Sequence, residues 1–150
     1  MEIRTIKAKL LIKCIEQQSE VMRQLEQEIA DSQKQANDYG QPKDRYDAFR
    51  TKLMRQIELY AKQLDKAKMV INTLQKIDSE KELSQVEFGA LVVTNKQKIF
   101  VSAGLGKIVL DGNVYYAVSP QVPIFAALKE KRKGDKIVFN GATLVIEDIC

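Results

Sequence analysis

Apolar side chains recur every three or four residues through the first half of the chain, the period of an amphipathic helix. One stripe of the first segment reads Leu11, Ile15, Gln18, Val21 or Met22, Leu25, Ile29, Ser32 and Ala36. The second segment is more regular: Tyr46, Phe49, Leu53, Ile57, Tyr60, Leu64, Ala67, Ile71, Leu74 and Ile77, with Glu, Gln, Lys and Arg in the gaps. So narrow an apolar seam needs a partner helix. Between the segments lies Asn37-Asp38-Tyr39-Gly40-Gln41-Pro42-Lys43-Asp44, where Gly40 and Pro42 break the helix and Asp44 suits the cap of the next one. A short break between two helices of similar length predicts an antiparallel hairpin over residues 5–78 or so, with arms of roughly 50 Å at about 1.5 Å per residue.

After Asp78-Ser79-Glu80-Lys81 the period becomes two. Val86–Thr94, Ile99–Ser102, Lys107–Leu110, Val114–Val118, Lys136–Phe139 and Thr143–Ile146 read as short strands. Asp111-Gly112-Asn113 joins one pair as a hairpin, and Asn140-Gly141 joins the last pair through a type I′ turn. One short helix fits between Pro123 and Lys133, burying Ile124, Phe125, Ala127 and Leu128 and ending at Gly134. The expected class is α+β: a helical hairpin over residues 1–79, then an antiparallel sheet with a single helix over residues 80–150.

Composition narrows the functions. Of the 150 residues, 45% are apolar and 29% charged, which suits a folded soluble protein. The longest apolar run, Ala90-Leu91-Val92-Val93, is far too short to span a membrane, and the charged N-terminus has no signal-peptide core. Cys14 on a helix and Cys150 at the last position suggest neither a disulfide framework nor a metal site, so a reducing cytoplasm is expected. There is no histidine, which removes the commonest general base and metal ligand. Gly104-Leu105-Gly106-Lys107 lacks the spacing of a phosphate loop and reads as a turn. Residues 1–79 carry 15 basic against 12 acidic side chains and residues 80–150 carry 9 against 8, a weaker basic bias than a dedicated nucleic-acid binder shows. An enzyme with an active site of its own is not expected.

A helical hairpin followed by Pro-x-x-x-Ala-Leu-x-x-Lys-x-x-Gly-Asp resembles the bacterial Gre transcript-cleavage factors. Here the stretch runs from Pro123 through Ala127, Leu128, Lys131, Gly134 and Asp135 to Val138 without a gap. Arg45-Tyr46-Asp47-Ala48-Phe49-Arg50 is similar to the family's Glu-Tyr-Asp-Ala-Ala-Arg. The resemblance implies a C-terminal domain of FKBP-like fold that docks at the secondary channel of RNA polymerase. It also implies an arm that enters the channel and touches nucleic acid only through the elongation complex. In that family paired acids at the arm's tip help hold a second Mg²⁺ at the polymerase's own catalytic centre, a two-metal hydrolysis. No cofactor of the chain's own is implied.

The chain departs from the family at the tip. The ungapped match places the two acids at Tyr39 and Pro42, neither of which ligates a metal. Asp38 and Asp44 flank them as the candidate ligands, shared with the polymerase. Locally, Asp38 also suits a solvated turn and Asp44 an N-cap. The docking surface departs more mildly: where the family has a polar residue and then Ser-Pro, the ungapped match puts Gln121, Val122 and Pro123, while a Ser-Pro pair stands three residues earlier as Ser119-Pro120. Either proline serves as the contact, or each is a rigid turn before the helix. Lys129, Lys131, Arg132 and Lys133 form a basic run at the expected helix end.

Three alternatives stand beside cleavage stimulation: a Gre-like factor that occupies the channel without cleavage, an FKBP-like chaperone or prolyl isomerase with a helical arm, and a dimeric coiled-coil scaffold. Against an isomerase, Phe88, Phe100, Tyr115, Tyr116, Phe125 and Phe139 fall mostly on core-facing positions. Against the scaffold, Gly40 and Pro42 favour pairing within one chain, hence a monomer.

Overall fold

A computed structural model describes residues 2–39 and 48–150; Pro42, Asp44 and Tyr46 lie outside the described residues. Two compact units make up the chain, residues 16–72 and residues 1–15 together with 73–150.

The first unit is helical, formed by α1 (Ile3–Tyr39) and α2 (Ala48–Gln75). The side chains withdrawn from solvent are Gln18, Met22, Leu25, Ile29, Ser32 and Ala36 of α1, and Leu53, Ile57, Tyr60, Leu64, Ala67 and Ile71 of α2. Their steps alternate between three and four, a heptad seam. Met22 rather than Val21 takes the inward place, since Val21 is 40% exposed. The best covered are Ala36, Leu53, Ala67 and Ser32, all buried. The break begins later than the sequence suggested. Asn37, Asp38 and Tyr39 are helical, so Asp38 is no turn residue; it lies in the last turn of α1.

The second unit is a six-stranded sheet in the order β3-β4-β2-β1-β6-β5. Its strands are β1 (Leu91–Thr94), β2 (Lys98–Val101), β3 (Gly106–Leu110), β4 (Asn113–Val118), β5 (Lys136–Phe139) and β6 (Ala142–Ile149). The sheet is mixed, not wholly antiparallel, because β2 and β4 run parallel. After β2 the chain reverses, skips one place to lay down β3 at the edge, and returns through β4 into the vacant position. Both predicted hairpin turns form, the first narrowed to the two residues Asp111-Gly112. Asp111 and Gly112 have φ of 50° and 79°, and Asn140 and Gly141 have 50° and 77°, the doubly positive signature of type I′.

Both faces of the central strand are covered, which explains the continuous apolar run at Ala90–Val93. On one face Val92, Ile99, Val101, Ile137, Leu144 and Ile146 pack with Phe125 and Leu128 of α3 (Pro123–Leu128). On the other, Leu91 and Val93 line a cavity with Ile3 and Ile6 of α1. Leu10, Leu11 and Cys14 are buried in the same unit. Lys7 is fully buried there, and its Nζ donates to the carbonyls of Lys81 at 2.9 Å and Cys150 at 3.1 Å. Helix α3 is shorter than predicted. It ends at Leu128, and Gly134, with φ of 91°, belongs instead to the turn entering β5. The chain leaves the helix early because Glu130 and Lys131 exchange backbone hydrogen bonds with Val86.

Leu128→Ala is expected to cost about 2–5 kcal/mol in urea unfolding, because Leu128 is fully buried. Ala126→Ser on the exposed side of the same helix is expected to stay within about 0.5 kcal/mol. Equal losses at both positions would mean that the helix face is misassigned. Lys7→Met should cost about 1–3 kcal/mol at neutral pH, since it keeps the stem but leaves two carbonyls without their donor. An unchanged unfolding midpoint would remove Lys7 as an anchor.

Candidate functional site

The end of the helical hairpin is built from the last turn of α1 and the first turn of α2. An α-helix leaves its last four carbonyls without intrahelical partners. Arg50 Nη1 donates to one of these, Ala36 O, at 3.3 Å. A cation here also meets the negative end of the helix dipole. Beside it the Tyr39 and Phe49 rings lie 4.8 Å apart at 52°, a tilted aromatic pair. Tyr39 thus closes the described end of the hairpin by packing. Asp38 is exposed on the same turn. Asp44, its proposed companion, lies outside the described residues, so the structure does not bring the two together. Among the described residues no group of three His, Cys, Asp or Glu side chains is placed to hold a metal ion. The sequence placed Phe49 on the apolar seam and Arg50 in the tip motif; in the structure Phe49 is 46% exposed and pairs with Tyr39, while Arg50 donates to the end of α1.

The proposed docking segment lies between β4 and α3. Val122 N donates to Ser119 O and Gln121 N to Ser119 Oγ, both at 3.3 Å, so Ser119–Val122 is a tight turn with Pro120 at its second place. Pro123 occupies the first turn of α3, where its missing N–H costs nothing. Gln121 and Pro123 are exposed, whereas Ser119 and Pro120 are half-buried. A partner approaching this face meets Gln121 and Pro123 first.

The basic run is exposed, and of its residues Lys129 is the C-cap of α3, its backbone N–H donating to Phe125 O at 2.8 Å. Lys129 follows α3 directly, and Lys131 and Arg132 belong to the extended segment beside Gln85 and Val86. Arg132 N donates to Asp135 Oδ2 at 2.7 Å, and Gly134 N donates to Ile146 O at 2.7 Å. Each residue of the Pro-x-x-x-Ala-Leu…Gly-Asp signature with a resolved role therefore has a local one: helix start, core side chain, left-handed turn, turn acceptor.

The aromatic side chains do not converge on a catalytic pocket. Phe100, Tyr115 and Phe125 are buried, and Tyr116 is 40% exposed. Phe125 packs in the α3 core, whereas Tyr115 lines the cavity beside α1 on the opposite face. Both cysteines are free and buried. Burial pushes the Cys14 thiol up to about 11 and raises Cys150 as well, the latter partly offset by the Lys7 ammonium. Burial also pulls Lys7 below its ordinary value, opposed by Cys150, Asp78 and Glu87.

The fold and these sites define a class: a long helical hairpin joined to a small mixed sheet that carries one helix. No family model and no curated protein matches the chain. Among solved structures, the crystal structure of GreA factor homolog 1 (Gfh1) of Thermus thermophilus aligns over 89% of this chain and 94% of that one, at 17% identity and a TM-score of 0.34. A likeness that loose carries no argument about this chain. No helix among the described residues is long and apolar enough to cross a membrane.

Native Cys14 should resist Ellman's reagent at pH 8 and react fully after unfolding, because the neutral thiol is the form that burial favours. Its folded value lies above the unfolded one, so its contribution to stability is complete below about pH 9. That contribution is lost as the pH rises from about 9 to about 11. Rapid labelling of the folded protein at pH 8 would contradict this burial.

Proposed function

We propose that the protein is a Gre-like elongation factor that binds RNA polymerase at its secondary channel and changes elongation through the position of its helical hairpin. The polymerase supplies the active site, and Mg²⁺ enters only there. The observation that carries this reading is the order of parts. A hairpin with helices of 37 and 28 residues precedes a domain whose Pro123–Leu128 helix bears the Gre-like signature. The part of α1 outside the sheet unit, residues 16–39, reaches about 36 Å at about 1.5 Å per residue. On this reading Gln121 and Pro123 meet the polymerase.

The mode is occupancy more than metal chemistry. Tyr39, standing where the resembling family has an acid, is engaged with Phe49 in an aromatic pair. A single Asp38 carboxylate on the last turn of a helix offers Mg²⁺ one ligand, whereas that ion prefers several oxygens in a near-octahedral array.

The test is a backtracked elongation complex mixed with the protein. Parent and Asp38→Asn are both expected to bind the polymerase and to slow or redirect elongation within about twofold of each other, without shortening the transcript. Transcript shortening abolished by Asp38→Asn would replace occupancy by metal-assisted cleavage. Absence of any association with the polymerase would sink the whole reading.

A further inference from the structure

On the α3 side of the sheet, but beyond the reach of that helix, strands β3 and β4 leave a concavity of about 400 Å³ next to the β1–β2 turn. Its lining carries three lysines, Lys96, Lys98 and Lys107, and no carboxylate. The remainder is Tyr116, Val114 and the polar Thr94–Gln97 turn.

This surface is held in shape. Thr94 Oγ1 accepts from Lys96 N and Gln97 N, at 3.2 and 3.0 Å, and donates to Gln97 O at 2.7 Å. Asn95 fastens the turn to β6, its Oδ1 accepting from Val145 N at 2.9 Å and its backbone N–H donating to Val145 O at 3.1 Å. Lys98 only edges this surface: its Nζ lies on the opposite face of the sheet, near Asn113 Oδ1 at 3.4 Å and over the Tyr115 ring, whose centroid is 5.4 Å away. Lys107 and Tyr116 are direct cross-strand partners, so a cation and a 40% exposed aromatic ring stand side by side. Among the described residues neither Lys96 nor Lys107 pairs with a carboxylate.

We propose that this concavity binds single-stranded nucleic acid, Lys96 and Lys107 taking backbone phosphates and Tyr116 stacking against a base. The chemistry is that of non-specific strand binding: a positive groove for the backbone beside an aromatic platform that accepts any base. A pocket of this size admits a splayed nucleotide and excludes a duplex groove. An acidic peptide meets the lysines equally well but gains less from the Tyr116 face. The proposal does not rest on the polymerase reading, because the binding belongs to the isolated chain.

The experiment is fluorescence anisotropy with full-length protein and labelled oligouridylate or oligothymidylate of about ten nucleotides, within the usual span of such sites. Comparing the two probes shows whether the strand is RNA or DNA, and binding of either supports the site. Lys96 and Lys107 on two phosphates give a salt slope of about −1.4, at about −0.7 per contact. K96Q/K107Q should weaken binding at least about tenfold and bring the slope to about zero. Tyr116→Leu should weaken binding about tenfold while leaving the slope unchanged. K131Q/K133Q, in the other basic segment, should match the parent. All four substituted lysines are exposed, so the fold is not at stake. Binding lost in K131Q/K133Q and kept in K96Q/K107Q would overturn the proposal. So would absence of strand binding at about 50 mM salt, or equal competition by polyglutamate.

Discussion

The Lys7 ammonium has left water altogether, and the second face of the sheet is organised around the place it took. An uncompensated buried charge costs several kcal/mol, so it persists only where its protons find acceptors. Lys7 finds two, the carbonyls of Lys81 and Cys150. One carbonyl lies in the segment after α2, and the other follows β6 directly. The same side chain therefore binds the start of the chain to two distant segments. Burial still depresses the ammonium, and Cys150, Asp78 and Glu87 oppose that shift without cancelling it. With α1 anchored there, Leu10, Leu11 and Cys14 lie buried in the same unit, and Ile3 and Ile6 face Leu91 and Val93. The sheet becomes a layer covered on both sides, and its central strand is apolar on both faces for that reason.

Short-range patterns were legible in the sequence because local chemistry decides them. The heptad seam follows from side-chain spacing, and each two-residue turn from an Asn-Gly or Asp-Gly pair that tolerates positive φ. Pro123 marked the start of α3 correctly. What escaped was decided by distant partners. The early end of α3 depends on Val86, which competes for the backbone of Glu130 and Lys131. The parallel pairing of β2 and β4 depends on β3 taking the edge, a choice that no period-two pattern encodes. The burial of Lys7 is the extreme case. A lysine among Arg4, Lys9 and Lys13 reads as one more solvated cation until the fold brings it two carbonyls.

The candidate site was legible to a lesser degree. Sequence matching treats each residue as a chemical group, so Asp38, Tyr39 and Asp44 were weighed as ligands or failed ligands. In the fold Tyr39 is a packing residue paired with Phe49, and Arg50 supplies the donor that the end of α1 lacks. The docking prolines behave similarly: Pro120 sits in a tight turn and Pro123 starts a helix. A signature whose residues all have local roles identifies an architecture. The side chains left over on that face are chiefly Gln121 and the exposed lysines.

Net charge misleads in the same way, because it ignores where the counterions stand. Residues 80–150 hold 9 basic and 8 acidic side chains, which suggests a neutral surface. Five of these acids stand away from the concavity. Glu82 lies 3.7 Å from Arg4 and Asp111 lies 3.8 Å from Lys9, both paired with α1. Asp135 accepts within its own turn, and Glu147 and Asp148 line the cavity beside Ile3 and Ile6. Two of the segment's acids are thus met by cations on the first helix, and Lys96 and Lys107 are left in a concavity without a carboxylate. Anchoring α1 through Lys7 has an electrostatic consequence as well as a packing one. It brings Arg4 and Lys9 to acids of the second unit, and the positive concavity on the opposite face is what remains.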